Sequence, residues 1–128
     1  MSEEIHDDQS VTSDTELWRR IPNWPKRVVY DENLGRLRPS SANFDDHPNG
    51  TPMSVAIADG NVTPQQALHP HSEFFLVGFT VGLARSHSLG IIRQPLPDQP
   101  WHGEVTGKKT GSVKNRLARQ CYWVVAPE

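Results

Sequence analysis

The chain has 128 residues, of which 35% are hydrophobic and 22% charged, with 11 prolines and 9 glycines. That length holds one domain with a core and is short for two, and the composition excludes a coiled coil, a collagen-like repeat and a membrane-spanning chain. Thirteen Lys and Arg against 15 Asp and Glu leave a formal charge of -2, so no global charge draws the chain to nucleic acid or lipid.

Residues 1–14 are polar, acidic and without apolar periodicity, which predicts a disordered acidic tail. Residues 15–128 then form a single α+β domain, with a short mixed or antiparallel sheet and two or three helices. Asp14 in front of Glu16-Leu17-Trp18-Arg19-Arg20-Ile21 reads as an N-cap and a short helix stopped by Pro22. Arg27–Tyr30 reads as a strand with a turn after it. Residues 36–51 read as a long irregular loop, a feature that in a small domain is functional or disordered. Met53–Ala58 alternates apolar with small residues, so Met53, Val55 and Ile57 share one strand face. Thr63-Pro64 opens a short helix that runs to Leu68.

Residues 74–84 are the main apolar segment. Eleven residues are too few to cross a bilayer. As a strand they place Phe75, Val77, Phe79, Val81 and Leu83 on one face; as a helix they carry a Gly78/Gly82 stripe. Ser72 as N-cap and Gly90 as stop favour the helix. Strands follow at 90–93 and 102–105, a helix at 112–120 with Val113, Leu117 and Cys121 on one side, and a closing strand at 122–125. The one cysteine, Cys121, cannot close an internal disulfide and suits a reducing compartment. With no basic and apolar leader at the start, a cytoplasmic setting without a membrane partner is expected.

Three groups of residues carry possible chemistry. Gly107-Lys108-Lys109-Thr110-Gly111-Ser112 leads into a helix, where backbone N–H groups and lysines suit an anion. It is not a P-loop, because Lys109 stands where Ser or Thr must reach magnesium. Residues 85–128 also hold seven basic residues against Asp98, Glu104 and Glu128. Arg38-Pro39-Ser40-Ser41 offers a guanidinium and two hydroxyls for phosphate, against a bland alternative in which Arg38 pairs with Asp45 or Asp46. His102, after Trp101, is the candidate proton carrier. His69-Pro70-His71 lacks the further spacing of a zinc site, so no metal is expected.

These readings converge on a domain that binds a phosphate-bearing ligand (a nucleotide, dinucleotide or RNA) through Arg38, Ser40, Ser41, Arg85, Lys108 and Lys109. Such a domain acts on its ligand, in the manner of an effector or toxin-like enzyme, if His102 moves a proton. The alternative is a non-catalytic interaction protein, an immunity or adaptor subunit, that engages a protein partner through its acidic tail or its basic C-terminal helix. The sequence leaves the cofactor unknown.

Overall fold

The structure, a computed structural model, describes residues 4–127. In chain order its elements are β1 (Glu16–Ile21), β2 (Val28–Asp31), β3 (Arg36–Pro39), a 3-10 helix (Ser41–Phe44), β4 (Met53–Ala58), α1 (Pro64–Leu68), β5 (Phe75–Thr80), α2 (Val81–Ser86), β6 (Gly90–Arg93), β7 (His102–Thr106), α3 (Gly111–Gln120) and β8 (Tyr122–Val125). Six strands form an antiparallel sheet in the order β6-β7-β4-β1-β5-β8, and β2 and β3 form a separate hairpin. This is the expected α+β class in a single small domain.

The segment expected to be a helix after Asp14 is instead β1, near the centre of the sheet. Leu17 pairs with Ile57 on one side and with Phe79 on the other. Six residues ahead of a proline are too few to sustain a helix alone. Flanked by two strands, the same residues pair their backbone on both edges and send Leu17 and Ile21 to one face. The helix expected over 74–84 also divides. Phe75–Thr80 is strand β5, and α2 starts only after Thr80, whose Oγ1 accepts from Leu83 N at 3.1 Å. Thr80 rather than Ser72 is therefore the cap. Gly90 lies in β6, and the turn that ends α2 uses Ser88 at φ 61°. Phe75, Val77 and Phe79 are strand-forming side chains, and a Cβ at position 78 would press on the end of the Tyr122 ring.

One sheet face carries the main core. Leu17, Ile21, Met53, Val55, Ile57, Val77, Phe79, Ile91 and Val105 pack there under Phe44, Val81, Ala84, Leu117 and Ala118. Complete burial of each large side chain is worth about 1.5–3 kcal/mol. The opposite face is only partly covered. There α1 sets Ala67 and Leu68 over Ala56 and Leu76, with Trp18, Phe74 and Trp101 at the margin. The Thr63 cap and Pro64 start this short helix as the sequence implies, and the Gln66 side chain closes a capping box by accepting from Thr63 N.

Residues 4–14, read as a disordered tail, instead lie against the domain; residues 1–3 fall outside the described residues. Asp8 N donates to Ile91 O at 2.8 Å, and Asp7 Oδ1 accepts from Ile91 N at 3.1 Å. His6 N donates to Thr106 Oγ1 at 2.9 Å, and that hydroxyl donates back to His6 O at 2.6 Å. Val11 is 1% exposed. Asp7 and Asp8 thus complete the edge of the sheet at β6, while Glu4 and Asp14 stay exposed. The loop expected over 36–51 is likewise organised. Its first residues form β3, and the Asn43 amide ties the 3-10 helix down by donating to Arg27 O and Ser40 O at 2.8 and 3.0 Å.

Candidate functional site

The residues expected to share a phosphate pocket are distributed over the fold, and most are occupied by local partners. Arg38 donates from Nε to Asp31 Oδ2 at 2.7 Å and from Nη1 to Pro39 O at 2.9 Å. Its carboxylate is that of Asp31, not Asp45 or Asp46. That hydrogen bond, before any other cause, holds the Asp31 carboxyl below the usual carboxylate range. Ser40 accepts from Asn43, and Ser41 opens the 3-10 helix. Arg85 forks onto Asp7 at 3.0–3.3 Å and also donates to Asp8 O, Val11 O and Ser13 Oγ. The acidic segment therefore meets Arg85 and not the basic helix.

Lys108 is exposed, whereas Lys109 turns inward. The Lys109 side chain is 2% exposed, pairs with Asp46 at 2.7 Å and donates to Val105 O. Burial lowers its ammonium pKa and Asp46 opposes the shift. Beside it lies Arg19, on the core face between Leu17 and Ile21. Arg19 donates to Asn43 O at 3.0 Å, Ser54 O at 2.7 Å and Asp45 O at 3.4 Å. Desolvation pulls its guanidinium down to about 10, with Asp46 again opposing. This cluster clamps residues 43–54 to the sheet. Its charges face one another, which leaves little capacity for an external anion.

The open site is elsewhere. On the outer face of the sheet a cleft of about 190 Å³ lies between α1 and the 94–101 connection. Trp18, Arg20, Ser54, Ala56, Ala67, Gln99, Trp101 and His102 are among its lining residues. None of Arg38, Ser40, Ser41, Arg85, Lys108 and Lys109 lines it. Trp18 is opposite Ala56 on β4 and Gly78 on β5. A large side chain flanked by small ones leaves a recess that the short helix α1 does not fill. Trp18 Nε1 is already donated to Glu16 at 3.2 Å, so its ring contributes an apolar wall.

Arg20 and His102 are the cleft groups whose spare capacity bears on ligand chemistry. Arg20 donates from Nε to Ala67 O at 2.8 Å and from Nη2 to His69 O at 3.3 Å. A guanidinium has five N–H donors, so three remain. Arg20 forms no ion pair among the described residues, and burial alone lowers its pKa. His102 holds Gln94 O at 2.8 Å through Nδ1. A carbonyl can only accept, so Nδ1 carries the hydrogen, and Nε2 of the neutral ring keeps its lone pair.

Of the expected residues, then, only His102 is in the cleft. Trp18, Arg20 and Ser54 were missed. The signal for them was the alternation of large and small residues: Trp18 and Arg20 share a strand face, and so do Ser54, Ala56 and Ala58. Among the described residues no three His, Cys, Asp or Glu side chains gather to hold a metal, and no helix is long and apolar enough to cross a membrane. No protein-family model, curated protein or solved structure matches the chain.

Proposed function

We propose that the protein binds a small anionic ligand, a phosphate or carboxylate with a flat apolar portion, in the cleft between α1 and the 94–101 connection. The observation that carries this reading is Arg20, a half-buried guanidinium with unused donors and no carboxylate partner among the described residues. An anion there recovers the interaction that burial has taken from water. The ring faces of Trp18 and Trp101 supply the apolar contact. The volume is below the about 300–1,000 Å³ of drug-sized sites, which suits a single ring or one moiety of a nucleotide. A phosphate-bearing ligand thus remains the class of choice, held by Arg20 in place of Arg38, Arg85, Lys108 and Lys109.

A panel of nucleoside monophosphates, aromatic carboxylates and inorganic phosphate tests this by thermal shift and tryptophan fluorescence. A ligand that binds only the folded state raises Tm. Loss of a charge-assisted hydrogen bond in Arg20→Gln is expected to weaken binding about tenfold or more. Absence of any shift across the panel, or equal affinity in Arg20→Gln, rejects the reading. The His102 tautomer supports turnover as a second reading, with Nε2 as general base. In that case His102→Gln retains binding of the panel ligand while its conversion stops.

A further inference from the structure

We propose that the outer face of α3 contacts the major groove of double-stranded DNA. Ser112, Asn115, Arg116, Arg119 and Gln120 fall at i, i+3, i+4, i+7 and i+8 and so form one continuous stripe. The opposite side of the helix buries Leu117 and Ala118. Every side chain of the stripe can form hydrogen bonds, none is acidic, and these are residue types that contact base edges and phosphates. The stripe lines a shallow surface depression, and all of the lining residues belong to α3. At the C-terminal end of the stripe the β2–β3 hairpin lies alongside, where Arg36 donates to Arg119 O at 3.0 Å and adds a further guanidinium.

The electrostatics of this face differ from those of the whole chain. Arg116 has no ion-pair partner among the described residues, and Lys108 is exposed just before the helix. Arg119 reaches Asp31 only at 3.9 Å, and that carboxylate is held by Arg38 at 2.7 Å. Lys114, off the stripe, is neutralised by Asp45 at 2.7 Å. Charges more than about 10 Å apart are screened at 0.1 M salt, so the local positive excess outweighs the net charge of the molecule.

The same stripe argues against other partners. It has no aromatic or aliphatic anchor of the kind that dominates protein interfaces, and no ring on which single-stranded bases could stack. A-form RNA has a major groove too deep and narrow for a helix. The 10 residues of α3 span about 15 Å, a length that fits across the roughly 12 Å major groove of B-form DNA.

Fluorescence anisotropy with a labelled 20-base-pair mixed-sequence DNA duplex, at 50 and 200 mM salt, tests the proposal on the full chain. Wild type is expected to bind at low salt with a Kd in the roughly micromolar range of non-specific DNA binding, and to weaken as salt rises. Arg116→Ala is expected to bind more weakly, and Arg116→Ala/Arg119→Ala about tenfold more weakly with a shallower salt slope. Both sites are on the surface, and unchanged melting curves establish that the variants fold. Three results overturn the proposal: no wild-type binding at low salt, wild-type affinity in the double variant, or tighter binding to poly-glutamate, single-stranded DNA or duplex RNA of the same length.

Discussion

At Lys109 the residue type was legible but its role was not. A lysine after glycine at a helix entrance resembles an anion contact, yet here the ammonium faces inward to Asp46 at 2.7 Å. Removing one member of a buried pair leaves the other charge uncompensated, at a cost of about 3–5 kcal/mol. Asp46 retains some exposure, so Lys109→Met is expected near the low end of that range in urea denaturation. Lys109→Met/Asp46→Asn keeps an acceptor for Met53 N, which donates to Asp46 Oδ1 at 3.0 Å, and should recover part of the loss. Equal losses in the single and double variants would sink the ion-pair account. Arg85 follows the same logic, its partner Asp7 lying 78 residues away. Nothing local to either residue marks the other. Cys121 differs in that its fate follows from its position in the helical pattern: burial raises its thiol to about 11, which leaves it protonated and inert near neutral pH.

At the level of elements, segments with a strong local signal formed as expected. The Thr63 cap and Pro64 of α1, the amphipathic pattern of α3 and the alternation of β4 each need only neighbouring residues. Segments with two compatible templates were decided by their neighbours. β1 has a plausible helix cap but is claimed by β4 and β5, and 74–84 is strand where β1 and β8 flank it and helix beyond. The N-terminal segment shows the same dependence. Its hold on β6 requires that position 90 have no side chain, because a Cβ there would collide with the His6 carbonyl. Gly90→Ala is therefore expected to cost about 1–3 kcal/mol, as overpacking does. It should also expose the Asp8 amide, now bonded to Ile91 O, to hydrogen exchange. Unchanged protection of Asp8 would show that the segment does not depend on this contact.

Across the whole molecule, aspartates tie the elements together: Asp31 to Arg38 within the β2–β3 hairpin, and over longer separations Asp7 to Arg85, Asp45 to Lys114, Asp46 to Lys109 and Asp59 to Arg93. Acid is expected to weaken several of these ties together. For Asp31 the sign follows directly, since its folded pKa lies below the unfolded value near 3.8. Its contribution is present above that value and disappears as pH falls through the folded pKa. The stability difference between wild type and Asp31→Asn should be constant from neutral pH to about 5 and shrink below about 4; a difference that persists unchanged into strong acid contradicts the Arg38 pairing. The sequence alone determined the α+β class, the short helix after Thr63 and the amphipathic helix near residues 112–120, because these follow from composition and from periodicity within a few residues. Only the tertiary structure decided that Arg38, Arg85 and Lys109 are neutralised and that Arg20 and His102 share a cleft. Ion pairing and site formation depend on which distant strands become neighbours, and that is set by the burial of the whole core rather than by any local pattern.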